Sequence, residues 1–351
     1  MIKKRFNKKF VLILISLMCL VSMVAIGCGK QSSTASASSG GGDDLKPDKD
    51  GLIPIKTWSR TDCGSTTWVV ADQKGFFKKY GLKVKYTGET QPAQQIPSIL
   101  NGNNDIGDFH PNTYGVAVAG GANLIGIGAK GVDPTPDVDP KYRHMWWFVN
   151  PKSGIKSFKD LANYKKGQKI KITTGAANIC TDFLGNTLAD KYGIPRDRFE
   201  WVTMPDSQAI QSLTQGLVDI SAVHPPYYTG MEKSGNEKIA DTLDTGLGAT
   251  AGLTYWVVDT NWAKKNPETT RKFLKAMLEA QIWSDDNPKE AADLTAKHIG
   301  QPVSGNHYYS KTLKIDNEKY LKPWIDELVK NGSVPKGKLD ASKLVTDIYY
   351  K

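Results

Sequence analysis

Cysteine is scarce, with four in 351 residues. Four cannot build a disulfide-stapled scaffold, and no C-x-x-C or H-x-x-x-H spacing marks a local metal motif. G-x-S-x-G, H-E-x-x-H and P-loop patterns are all missing, and no internal repeat is visible. Acidic residues are missing before Asp43. Only one long apolar run occurs, residues 10–26 (FVLILISLMCLVSMVAI), so no other segment is apolar enough to cross a bilayer as a helix. The rest is ordinary globular material, 39% hydrophobic and 23% charged. This excludes general disorder and leaves room for two lobes with separate cores. The net charge is +10, and removing residues 1–27, which carry five basic and no acidic side chains, leaves about +5. So mild an excess points to no polyanionic partner, and nucleic acid is not expected.

The N-terminus carries the clearest signal. Lys3, Lys4, Arg5, Lys8 and Lys9 precede the apolar run, the order of a secretory signal. Ala25-Ile26-Gly27-Cys28 follows. Small residues ahead of a Cys at this point resemble the lipobox of bacterial lipoproteins. The resemblance implies cleavage before Cys28 and lipidation of its thiol. An uncleaved membrane anchor is the alternative reading, since the run sits at the lower limit for a span. A Ser/Gly/Ala tract comes next and cannot pack a core. The expected organisation is a signal over 1–27 and a flexible tether over 28–51. The body is expected to be exported and held by a lipid anchor at the outer face of the cytoplasmic membrane.

The body alternates strands and helices. LIPIKTW (52–58), LKVKY (82–86), MWWFV (145–149), 169–173, 199–204, 220–223 and LTYWVV (253–258) read as strands. Helices are expected over 65–74, 94–100, 179–192, 207–215, 267–285 and 288–299. This predicts an α/β fold with parallel or mixed sheets covered on both faces. Ligands of such sheets bind on loops at the carboxyl ends of strands. Four such loops hold the uncommon residues: 58–63 (WSRTDC), 108–112 (DFHPN), 175–180 (GAANIC) and 224–227 (HPPY).

Several ordered segments are similar to the solute-binding proteins of ABC importers, in the branch for nitrate, sulfonate, taurine and thiamine precursors. They include Lys74-Gly75-Phe76 with Tyr80-Gly81-Leu82-Lys83-Val84, Leu100-Asn101-Gly102 with Asp105-Ile106-Gly107, and Ser153-Gly154-Ile155 with Phe158 and Asp160-Leu161. Gln215-Gly216-Leu217-Val218-Asp219-Ile220 and Asn266-Pro267-Glu268 with Asn287-Pro288 continue the series. The resemblance spans roughly residues 52–300. It implies a two-lobed periplasmic-binding-protein-like (type II) fold with two crossover strands, near 145–150 and 252–258. Lobe 1 is expected over 52–149 plus 252–351, and lobe 2 over 150–251. It also implies a small-molecule solute held by hinge closure, expected to be a small anion of the sulfonate or nitrate kind or a heterocyclic thiamine precursor, with an ABC permease and ATPase as partners. A ligand-sensing lipoprotein would use the same fold. Some relatives make the thiamine pyrimidine with pyridoxal phosphate and iron, but the four loops offer no Lys for a Schiff base, Lys130 being the nearest. The chain is therefore read as a binding protein, not an enzyme.

Two helix starts, near Ser65 and at Asn178–Thr181, could face an anion, with Arg60 adding charge. Capping alone explains their hydroxyls equally well. The cleft candidates are Trp58, Arg60, Asp62, Cys63, Ser65, Phe109, His110, Asn112, Asn178, Cys180, Thr181, His224, Tyr227 and Tyr255. Two Cys and two His on four loops leave three readings open. Cys63 and Cys180 form a disulfide; or Cys63, His110, Cys180 and His224 bind a soft metal ion or metal complex; or all four line a pocket for an organic solute such as a planar heterocycle. No cofactor is expected beyond such a metal.

Overall fold

The computed structural model describes residues 43–351 except Ser304. The expected export signal, the lipidation site Cys28 and the first part of the tether lie outside the described residues. The remainder of the expected tether is attached to the body instead. Asp43 caps a helix start, accepting from the Glu268 N–H (3.0 Å) and the Thr269 N–H (2.6 Å). Leu45 packs on the core beneath. A carboxylate at a helix N-terminus meets free N–H groups and the positive end of the dipole, which pins the segment.

The first lobe begins with β1 (Ile53–Ser59), α1 (Thr66–Gln73), α2 (Phe76–Lys79), β2 (Leu82–Glu89) and α3 (Pro92–Leu100). It continues with β3 (Ile106–Phe109), α4 (Pro111–Ala119), β4 (Leu124–Ala129) and the short β5 (Gly131–Val132). The second lobe holds β6 (Trp146–Val149), β7 (Ile170–Thr174), α5 (Cys180–Lys191), β8 (Phe199–Thr203), α6 (Asp206–Thr214), β9 (Ile220–Val223), α7 (Tyr228–Lys233) and β10 (Glu237–Asp241). The chain then returns through β11 (Tyr255–Asp259), α8 (Thr260–Lys265), α9 (Pro267–Asp286), α10 (Pro288–Ile299), β12 (Tyr308–Tyr309), α11 (Lys322–Lys330) and α12 (Ala341–Leu344).

β1 and β2 pair in parallel, and β11 lies antiparallel between β3 and β4. The Asp105 N–H donates to the Lys56 carbonyl (2.9 Å), placing β1 beside β3. The second sheet runs β10-β6-β9-β7-β8, with β6 antiparallel to both neighbours. β6 is Trp-Trp-Phe-Val, buried at all four positions. A run without alternation suits a strand covered on both faces. A lobe boundary after residue 149 would assign β6 to the first lobe, but its hydrogen bonds to β9 and β10 place it in the second.

The chain passes between the sheets over 133–145 and 242–254, and Asp133 ties the two passages together. Its Oδ1 accepts from the His144 N–H and the Thr242 hydroxyl, both at 2.8 Å, while its own N–H donates to the Ala249 carbonyl (3.1 Å). Gly252 lies against Val132 and Asp133, where an added Cβ would come within 2.5 Å of the Val132 carbonyl carbon. Only glycine lets the two backbones approach this closely.

Six of these twelve helices escape the sequence reading, α4 and α11 the longest among them. α4 (PNTYGVAVA) has no exposed polar face, so it shows no amphipathic period. α11 falls where only a stretch 317–331 was expected, within lobe 1. Its packing involves both lobes. Leu328 lies near Gly115 of α4, while Glu327 pairs with Arg196 (2.9 Å) and accepts from Asn186 Nδ2 (3.0 Å) of α5.

The loop into β12 is fixed by Asp285 of α9, whose carboxylate oxygens accept the Tyr309 N–H at 3.2 Å. Burial pushes the Asp285 carboxyl up to about 8. The folded state then holds the proton more tightly than the unfolded chain. Its stabilising effect is full below about pH 4 and is lost as pH rises through about 8. The melting temperature of Asp285→Asn, measured relative to the parent, should rise between these limits and level off above them. A gap independent of pH would contradict the assignment.

Candidate functional site

The cleft between the sheets encloses a cavity of about 520 Å³. The carboxyl ends of β1, β3, β7 and β9 feed its walls, as the strand–loop argument expects. Trp58, Arg60, Asp62, Phe109, His110, Cys180 and His224 line it, seven of the fourteen expected residues.

The other seven do not reach it. Cys63 is buried in the turn before α1 with its thiol on the Gly305 carbonyl (3.5 Å). Ser65 turns back to the Asp62 carbonyl (2.7 Å). Asn112 and Thr181 are buried on the inner turns of α4 and α5. Asn178 adopts a left-handed conformation (φ 57°) and accepts the Ser333 hydroxyl (2.7 Å). Tyr227 begins α7 outside the lining, and the buried Tyr255 points its hydroxyl to Asn317 (3.4 Å). Cys63 and Cys180 are both free thiols, so the disulfide reading is overturned. The expected metal quartet also loses Cys63, since its thiol points to the loop at Gly305 and not into the cleft.

The structure adds residues that the four loops did not contain. Asp108, Lys130, His144, His307 and Tyr308 line the cavity, with Pro92, Ala93 and Ile96 of α3 on an apolar side. Four of the five histidines in the chain therefore converge here. His144 arrives on the first passage and His307 on the loop before β12. The scarcity of histidine was the available signal. Neither residue follows a strand, so the search at strand ends missed both.

The imidazoles form one cluster around His144. Ring centroids lie 4.7 Å from His110, 4.9 Å from His224 and 5.1 Å from His307. His110 Nδ1 donates to the Leu253 carbonyl (2.7 Å), which fixes the ring and turns Nε2 toward the cluster. His224 Nδ1 lies 2.8 Å from the Asp206 carboxylate, and its Nε2 lies 3.3 Å from Cys180 Sγ. Burial would raise the Cys180 thiol. The adjacent imidazoles of His110 and His224 outweigh it and bring the thiol down to about 5, so Cys180 is a thiolate at neutral pH. Burial opposes protonation of His224 too, but Asp206 and Cys180 raise it well above the usual histidine range. His144 and His307 are driven the other way, by burial and by the surrounding imidazoles, and stay neutral.

The fixed cations are already paired. Arg60 and Lys130 (2.6 Å) both contact Asp108, and Lys130 also donates to the Gly64 carbonyl (3.2 Å). Burial works against the Asp108 anion, and the two cations more than offset it, holding the carboxyl down at about 2. Just ahead of α5, Asp182 accepts the Asn178 N–H (2.6 Å) and the Thr174 hydroxyl (3.1 Å), which ties the 175–179 loop to the helix start.

Two α/β lobes around a ligand-sized cleft form the site. The chain belongs to the NMT1/THI5-like family, whose model matches residues 63–291. A binding protein of Brucella abortus is 22% identical over 286 residues, covering 80% of this chain and 82% of that protein. The fold is that of periplasmic binding proteins. The aliphatic sulphonate-binding protein SsuA of Escherichia coli superposes with a TM-score of 0.65 at 20% identity, covering 85% of this chain and 92% of its own. The nitrate-binding protein NrtA of Synechocystis PCC 6803 gives 0.67 at 16% identity, over 85% and 87%.

Proposed function

We propose that this chain is the extracytoplasmic receptor of an importer, tethered through Cys28, and that it captures its solute in the cleft on nitrogen and sulfur donors. SsuA and NrtA are named for oxyanions, and an oxyanion needs an unpaired cation or a free helix N-terminus. Arg60 and Lys130 are both paired with Asp108. This pairing turns the reading toward the imidazole and thiol groups of the cleft, with a small anion of the sulfonate or nitrate kind as the second reading. Lys130, engaged by Asp108 and Gly64, is likewise poorly placed to form a Schiff base, which supports binding over catalysis. Closure of the lobes around the solute would present the form that a permease recognises.

Thermal unfolding with added ligands tests this, because a ligand that binds only the folded state raises the midpoint by mass action. Nitrate, taurine and alkanesulfonates are expected to leave the midpoint unchanged. A saturable rise with any of them would sink the nitrogen–sulfur reading.

A further inference from the structure

We infer that the cleft binds a late first-row transition-metal ion (Co²⁺, Ni²⁺, Cu²⁺ or Zn²⁺) as its solute, held by His110, His144, Cys180 and His224. This rests on the receptor reading above and names the class of cargo. Ligand atoms of His110, His144 and Cys180 all lie within 4.8 Å of one another, close enough to share one ion after small rotations. His224 Nε2 lies 3.3 Å from Cys180 Sγ, outside that mutually close trio, and joins as the fourth ligand when its ring swings inward.

Three features separate this cluster from an ordinary polar pocket. First, His144 is 6% exposed, and its Nε2 has no hydrogen-bond partner among the described residues. A buried polar nitrogen facing a cavity without a partner costs free energy unless something occupies it. His307 Nδ1, beside it, is equally unpartnered among those residues. Second, two of the imidazoles are oriented through their other nitrogen: His110 by the Leu253 carbonyl and His224 by the Asp206 carboxylate. Outer partners of this kind fix the tautomer and aim the lone pair of a metal-ligating histidine. Third, three imidazoles and one thiolate form a donor set for zinc and its neighbours, not for Mg²⁺ or Ca²⁺.

Asp206, His224 and Cys180 also have the spacing of a nucleophile–base–orienter triad. Such a triad gives no role to His110 or His144, and the metal reading uses both. The donors come from both sides of the cleft: His110 from the first lobe, Cys180 and His224 from the second, and His144 from the passage joining them. One ion therefore draws the lobes together, which couples loading to closure. The cavity is far larger than an ion, so ligands that the ion brings with it also fit.

Full-length protein in detergent, stripped with a chelator and kept reduced, is titrated with Co²⁺ and with Zn²⁺. Tight binding of one equivalent is expected, with thiolate-to-cobalt charge-transfer absorption. Cys180→Ser should abolish that absorption and weaken binding by about 100-fold or more, and His144→Ala should weaken it comparably. Asp206→Asn should weaken binding about 10- to 100-fold while the absorption persists. His298→Ala, at the histidine outside the cluster, should change neither. Circular dichroism of the stripped variants separates loss of ligands from loss of fold. Absence of stoichiometric binding, or binding indifferent to Cys180→Ser and His144→Ala in folded protein, overturns the metal assignment. If an organic solute then stabilises the protein through the cleft, the receptor reading stands without the metal. If neither metal nor organic solute binds, both readings fall.

Discussion

Replacing Asp108 with Asn is expected to cost about 3–5 kcal/mol of folding stability at pH 7, measured by urea unfolding. Asp108 is 12% exposed and serves two cations, Arg60 at 7% and Lys130 at 3%. Removing the carboxylate leaves both cations buried against each other without their counter-charge. The Trp58 ring under Arg60 (4.5 Å) and the Trp256 ring under Lys130 (4.9 Å) soften this only slightly. The effect has a defined pH course. The folded-state carboxyl sits at about 2, below its ordinary 3.8, so its stabilisation is present above about pH 4 and disappears as pH falls toward 2. The gap between parent and variant should close over that interval. Adding Lys130→Met to Asp108→Asn should recover part of the loss, since one orphaned cation is then gone. A single-variant cost below 1 kcal/mol would show that the cations find water instead.

Trp324→Ala is expected to cost a similar amount, about 3–5 kcal/mol, and to disturb the cleft as well. Trp324 is fully buried, and its indole N–H donates to the Thr250 carbonyl (3.0 Å) on the second passage. Its ring meets Phe183 of α5 at 4.4 Å and stacks on His110 at 5.0 Å. One side chain thus joins α11 to the second lobe, to a passage between the lobes and to a cleft imidazole. Truncation leaves a cavity there and an unanswered Thr250 carbonyl. Trp324→Phe should lose less, because it keeps most of the ring packing and gives up mainly the hydrogen bond. Equal costs for the two substitutions would assign the whole effect to the indole N–H.

The fold class was legible in the chain because its strands and helices carry their periods locally. β9 and α10 fall where the apolar pattern places them, and proline starts α9 and α10 where its missing N–H does no harm. Trp58, Phe109, His110, Cys180 and His224 were found for the same reason: each lies at or just beyond a strand end, where an α/β sheet opens its cleft. Cys63 satisfies the same positional rule yet faces away, because a turn sets side-chain direction and chain position does not. α11 shows a long-range effect of the same kind. Its place between the lobes depends on Glu327 meeting Arg196 and Asn186, more than a hundred residues away.

The sequence by itself determined the alternating α/β fold and the family resemblance, since periodicity, helix punctuation and segment order are local properties. Tertiary structure alone decided that His144 and His307 join the cleft while Cys63 does not. It alone decided that Arg60 and Lys130 are neutralised by one Asp108. Those outcomes depend on which distant backbones meet, at Asp133 with Thr242 and at β5 with β12, and no local pattern encodes that meeting.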